Sequence, residues 1–220
     1  MTDLQMGAVE SRFADIIGEN EPITASELAK RAAELLDWKK TTSYTVLKRL
    51  CDKGIFKNEG GVVTAGNASG RNDGGAALLM MTEEKAKALG YTPIARWVAG
   101  ADVGVDPKYM GIGPAYSNMK ILNKLGMKLS DISVYECNEA FAAQNLSVIR
   151  QMETMSGETI NMDTWNPNGG AIAFGHPNGA SGGRIAMSAI RHMQNTGGQF
   201  GLVSSCCGGG IGVSTLYELL

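Results

Sequence analysis

The stretch Gly169–Gly182, GGAIAFGHPNGASG, constrains this chain more than any other. It sets His176, one of only 2 histidines, between a glycine and a proline where a strand reads into a helix. Glycine lets a backbone approach a ligand closely and adopt positive φ. The following run, Ala180 to Met187, reads as a helix start with Ser181 as N-cap. A helix N-terminus behind a glycine turn suits a carbonyl oxygen or another anion-like group. Two further segments share this character: CNEAFAA from Cys137 to Ala143 and SSCCGGGIG from Ser204 to Gly212. An Asn, a His and a Cys in three turns padded by small residues point to acyl-transfer chemistry. The competing readings are a histidine that only shapes its turn and an inert buried thiol at Cys206. Cys207, Glu139 and His192 read as structural or solvated.

With 220 residues the chain has room for one large or two small domains. Apolar residues at 44% and charged residues at 19% fit a globular protein. The net charge of −2 excludes a nucleic-acid signature for the chain as a whole, though not for a local face. No signal peptide and no long apolar run are evident, so the expected setting is cytoplasmic, with no membrane partner. The cysteines are Cys51, Cys137, Cys206 and Cys207. None forms a C-x-x-C pair and the histidines are badly placed for zinc, so the expectation is free thiols and no metal. Glycine is concentrated after Gly60, a composition break that marks a domain boundary.

Before that break the pattern is helical. Leu4, Val9, Phe13, Ile16 and Ile17 recur at mostly helical spacing. Thr24-Ala25-Ser26-Glu27 reads as a capping box opening a second helix through Leu28, Ala32, Leu35 and Leu36. Thr41 to Lys53 reads as a third helix, closed by Gly54. Cys51 falls on its core face. A hairpin follows over Ile55–Thr64. Three helices and a hairpin make a winged helix-turn-helix. Its third helix and flanks carry Lys39, Lys40, Lys48, Arg49, Lys53 and Lys57 against Asp52 alone. These cations neutralise phosphates, while Thr41, Thr42, Tyr44 and Thr45 suit phosphate or base-edge hydrogen bonds. Lys39, Lys40, Thr41, Thr42, Thr45, Lys48, Arg49 and Lys57 are therefore the expected contacts to duplex DNA. A three-helix bundle used for protein contacts is the alternative. The segment from Pro22 to Thr64 resembles the DNA-binding half of the penicillinase-repressor family. Those repressors bind operators as dimers through a further helical segment, which this sequence does not continue into.

From about Val62 onward the chain resembles the C-terminal half of a thiolase, an acetyl-CoA acetyltransferase, through VTAGNASGRNDGGAALLM and the three segments above. The expected domains are 1–64, a winged helix, and 65–220, an α/β domain. The α/β domain has a mixed sheet with helices on both faces, and residues 65–90 are a remnant of the thiolase N-terminal domain. The reading places a buried strand at Ala76–Met81, a helix at Thr82–Gly90 and a strand at Ile94–Gly100. A helix through Lys124, a strand at Ile132–Tyr135 and a helix at Asn138–Met152 follow. The last elements are a strand at Gly170–Phe174, a helix at Ser181–Gln194 and a final strand pair.

The resemblance implies roles for individual residues. Ser69 lies against the pantetheine arm of coenzyme A. Asn138 holds a water that, with His176, forms an oxyanion hole for the thioester enolate. Cys206 is the acid/base thiol, and Gly208 offers a backbone N–H to a second oxyanion hole. Preorganised donors for the enolate and a tuned thiol fit the weak acidity of a thioester α-proton. No cofactor is implied beyond the coenzyme A thioester as substrate. Thiolases carry their nucleophilic cysteine in the N-terminal half, and Cys51 stands in unrelated sequence. The expectation is therefore a chimeric chain that forms no acyl-enzyme by itself. The same argument predicts a homo-oligomer, because helix 138–152, with Phe141, Leu146, Val148 and Ile149, would lack its covering layer.

Overall fold

The computed structural model describes residues 12–16, 25–39, 41–43, 45–47 and 63–220. The chain divides into two compact units, Met1–Gly66 and Asn67–Leu220. In the first, residues 12–16 are helical, α1 spans Ala25–Leu36, and residues 41–43 and 45–47 are helical. Phe13, Ile16, Leu28, Ala32 and Val46 form its core. The Phe13 ring stacks on Trp38 at 5.1 Å. Lys39, Thr41, Thr42 and Thr45 are exposed while Ser43 and Val46 are buried, so this stretch turns its threonines outward. Thr24, Lys40, Tyr44, Lys48, Arg49, Cys51, Gly54, Lys57 and the hairpin over 55–62 lie outside the described residues.

The second unit is built on a four-stranded mixed sheet in the order β1-β4-β3-β2. The strands are β1 (Ala95–Gly104), β2 (Val134–Cys137), β3 (Phe200–Cys207) and β4 (Ile211–Leu219). β1 and β3 both run antiparallel to β4, and β2 runs parallel to β3. The helices are α2 (Glu83–Leu89), α3 (Gly113–Leu125), α4 (Ala142–Ser156), α5 (Ala171–Phe174) and α6 (Ser181–Thr196).

Helices cover both faces. On one, Ala115, Met119 and Leu122 of α3 and Val148 and Met152 of α4 pack with Leu202 and Leu216 of the sheet. On the other, Ile185, Ala186, Ala189, Ile190 and Met193 of α6 pack with Val134, Val203 and Tyr217. The α6 residues recur at i, i+1, i+4, i+5 and i+8, one stripe of a helix. Burying each large apolar side chain stabilises the unit by roughly 1.5–3 kcal/mol. α3 can sit so close to β4 only because both contact residues are glycine. A Cβ at Gly113 would lie 2.7 Å from Gly212 Cα.

Several expectations are corrected. Residues 76–81 are not a buried strand: 72–80 form neither helix nor strand, and Leu79 is 78% exposed. Residues 171–174 are a helical turn rather than a strand. The Glu139 carboxylate accepts a hydrogen bond from the Ile172 N–H at 3.2 Å, capping that turn from 33 residues away. The helix expected from Asn138 begins at Ala142, because the Asn138 N–H is taken by Ser204 O at 2.9 Å. Val148 and Ile149, expected to be exposed, are buried against α3 and the sheet. Phe141 and Leu146 remain exposed.

Candidate active site

β2 and β3 run parallel, so the residues that follow Cys137 and those that end β3 leave the sheet at the same end. Asn138 extends β2 by one rung through its bond to Ser204 O. Cys206 lies two residues further along β3, opposite Gly212. The β3–β4 hairpin then turns through Gly208, Gly209 and Gly210. Gly209 and Gly210 both have φ of 86°, a left-handed conformation that disfavours other residues. The hairpin is tied down where Val105 N–H donates to Gly210 O at 2.7 Å. Gly208 is exposed at its tip.

Residues 68–71 strap two turns together. Ser69 N–H donates to Ala140 O at 3.0 Å, and Ala68 bridges Phe141. His176 N–H donates to Gly70 O at 2.8 Å, and Arg71 bridges His176. The strap thus brings Ser69, the Asn138–Phe141 turn and the His176 turn together. Gly175 has φ of 90°, a conformation that other residues rarely adopt, which favours glycine at the approach to His176. Arg71, Asn72, Asp73, His176 and Asn178 line a cavity of about 280 Å³ at this place. A larger cavity of about 680 Å³, lined by residues including Val105, Tyr109, Tyr116 and Lys120, lies beside the start of α3.

The electrostatics distinguish the three side chains. Asn138 is 1% exposed, and neither of its amide atoms has a hydrogen-bond partner. Leaving a buried polar group unpaired costs about 1–3 kcal/mol, which a merely structural asparagine avoids. Both atoms are therefore available to a ligand. His176 is half-buried. Burial, then the nearby Arg184 guanidinium, holds its imidazole below its ordinary pKa, so it is neutral at neutral pH. Its Nδ1 lies 2.7 Å from Ser181 Oγ. Burial pushes the Cys206 thiol up, which keeps the proton on sulfur at neutral pH. Cys137 is also buried, and burial pushes it up to about 12, so it is an inert core thiol.

The sequence predicts Ser181 as an N-cap, but it is the first residue of α6, and Ala180 occupies the cap position without a side-chain bond. Its hydroxyl faces His176 instead. The serine five residues after the histidine was visible in the sequence, but its partner was not. Nothing local in the sequence marks Arg184 or Glu136. Arg184 stands over the Phe174 ring at 5.8 Å. Glu136 is buried, accepts from Ser188 Oγ at 2.7 Å, and is pushed up to about 7, chiefly by burial. Among the described residues, no group of three or more His, Cys, Asp or Glu is placed to hold a metal ion. No helix among them is long and apolar enough to cross a membrane.

The family model of the thiolase C-terminal domain matches residues 91–219. That of the penicillinase repressor, a winged-helix family, matches residues 6–63. An acetyl-CoA acetyltransferase of Syntrophomonas wolfei is 48% identical over 162 residues, covering 74% of this chain and 40% of that protein. A 3-oxoadipyl-CoA/3-oxo-5,6-dehydrosuberyl-CoA thiolase of Escherichia coli is 46% identical over 158 residues, covering 72% and 38%. The crystal structure of the Bacillus anthracis acetyl-CoA acetyltransferase superposes with a TM-score of 0.70 at 45% identity, covering 75% of this chain and 40% of that one. The chain thus spans about 40% of the length of these relatives.

Proposed function

Because the chain belongs to the thiolase family through its C-terminal domain, we propose that it carries the proton-transfer and carbonyl-polarising half of a thioester acyl-transfer site, joined to a DNA-binding domain. The observation that carries this reading is the convergence of Ser69, Asn138, His176 and Cys206 on one end of the sheet, with the Asn138 amide buried and unpartnered. In the reaction, the Cys206 thiol first gives up its proton to solvent, a step that its burial opposes, and the resulting thiolate takes the α-proton of an acyl-CoA. The enolate oxygen then accepts hydrogen bonds from His176 Nε2–H and from a water held by Asn138. The Gly208 N–H serves the second oxyanion hole, and Ser69 meets the pantetheine arm. The enolate carbon needs an acyl group on a nucleophile, which the proposed half-site does not include. The proton therefore returns to carbon and the transfer is not completed.

Thiolysis of acetoacetyl-CoA tests this. The chain alone is expected to release no acetyl-CoA. Adding a separate thiolase N-terminal half is expected to give turnover that His176→Asn or Cys206→Ser abolishes. Turnover by the chain alone would contradict the reading.

The repressor match over residues 6–63 favours a second reading, a transcriptional regulator that uses the thiolase half to dimerise or to sense acyl-CoA. A gel shift on duplex DNA that changes when acetyl-CoA is added would favour it over an incomplete enzyme.

A further inference from the structure

Val134, Glu136 and Asn138 alternate along β2 and its one-rung extension, so their side chains share one face of the sheet. Val134 packs against α6 on that face. Ser188 of α6 donates to Glu136 Oε1 at 2.7 Å, which places the carboxyl under the same helix. Glu136 and Asn138 are each 1% exposed. Glu136 Oε2 has no hydrogen-bond partner, and neither Asn138 Oδ1 nor Nδ2 has one. Polar atoms this deeply buried are costly to leave unmet, and here two residues apart on one strand face they are within reach of each other.

The charge on Glu136 decides how they meet. An ionised carboxylate only accepts, so it would draw the Asn138 Nδ2–H₂ inward and leave Oδ1 facing the acyl site. A protonated carboxyl has one O–H to donate, and with Ser188 donating to Oε1 that proton sits on Oε2. The charges acting on Glu136 are Arg184 of α6 and Glu139 in the turn after β2. The neighbouring β3 carries no charged side chain, only the Cys206 and Cys207 thiols. Arg184 favours the carboxylate, but burial outweighs it and the carboxyl is pushed up to about 7.

We propose that Glu136 is a positioning residue for Asn138: its Oε2–H donates to Asn138 Oδ1 and turns the Asn138 Nδ2–H₂ toward the acyl site. The amide then offers that site a donor, as the holding of a water beside a thioester oxygen requires. Ionisation of Glu136 reverses the amide and offers an acceptor instead. The catalytic consequence rests on the acyl-site reading above, whereas the orientation of the amide does not.

Nuclear magnetic resonance on the full chain tests the orientation. Carbon spectra are expected to show Glu136 titrating near 7. Overhauser contact between the Asn138 amide protons and the Glu136 side chain is expected to be weak at about pH 6 and strong at about pH 8. Glu136→Gln, whose amide N–H can make the same bond at every pH, is expected to keep the low-pH pattern throughout. Exchange of the acetyl-CoA methyl protons with heavy water reads the consequence. The exchange rate of Glu136→Gln relative to wild type is expected to be close to unity at about pH 6. It is expected to reach about tenfold at about pH 8, one unit above the Glu136 midpoint. A Glu136 that titrates in the ordinary carboxylate range overturns the proposal, since it would be paired with Arg184. So does an Asn138 amide with one orientation on both sides of pH 7, or a measurable exchange whose ratio stays flat. If neither chain exchanges the methyl protons, the acyl-site reading fails, and the carboxyl titration and amide contacts decide the positioning role by themselves.

Discussion

Ser181 Oγ lies 2.7 Å from His176 Nδ1, and the same hydroxyl stands 3.2 Å from Pro177 O. It has one proton to give. Donation to Pro177 O lets Oγ accept from Nδ1–H, whereas donation to Nδ1 leaves the imidazole proton on Nε2. That tautomer is the one able to donate to a thioester oxygen.

The first prediction is that nitrogen NMR finds neutral His176 protonated on Nε2, and that Ser181→Ala produces a mixture of tautomers. With only His192 as the other histidine, the signals are readily assigned. An Nδ1–H tautomer in the wild type would remove His176 as an oxyanion donor.

The second prediction concerns pH. Burial raises the Glu136 carboxyl from 4.5 to about 7. The folded state therefore holds that proton more tightly than the unfolded chain does. The associated stability is fully present below pH 4.5 and is lost as pH rises through 7. Its size is on the order of 3 kcal/mol. Glu136→Gln keeps the uncharged form at every pH. Relative to wild type, its stability in urea should improve by up to about that amount between pH 4.5 and pH 8. A difference that does not change over this range would show that the carboxylate is compensated when charged.

The third prediction contrasts two glycines. At Gly113 a Cβ meets the Gly212 backbone, which cannot rotate away, so Gly113→Ala should destabilise the unit by about 1–3 kcal/mol or more. At Gly182, in the first turn of α6, a Cβ meets nothing within 4 Å. Gly182→Ala should be neutral or stabilise by up to about 1 kcal/mol. Urea denaturation of both variants checks the pair.

These features were not equally legible. The chemistry-bearing turns could be read because their glycines and polar residues are dictated locally. The apolar stripe of α6 is likewise a local periodic signal. Residues 76–81 misled because an apolar run specifies a buried strand only if a partner strand exists, and that condition is not local. Residues 170–174 misled because a short apolar run fits a strand or a helix equally well. The Glu139 carboxylate, distant in sequence, decides between them. Asn138 fell outside the expected helix for the same kind of reason, a rung to Ser204 across the sheet. The sequence carries no local signal for Glu136, because only the packing of α6 on β2 buries its carboxylate.

The fourth prediction concerns DNA. If the third-helix region contacts phosphates, Lys48→Ala with Arg49→Ala should reduce the slope of log affinity against log salt by roughly 2. Fluorescence anisotropy over a salt series measures it, and an unchanged slope would assign the contact surface elsewhere.

The acyl-transfer half-site is tested most directly by intact-mass analysis after incubation with acetyl-CoA. If the chain carries only the proton-transfer and carbonyl-polarising half of the site, as proposed, no covalent acetyl adduct is expected on the wild type. A stoichiometric thioester adduct that persists in Cys206→Ala would contradict this, since it would reveal an acyl acceptor within the chain.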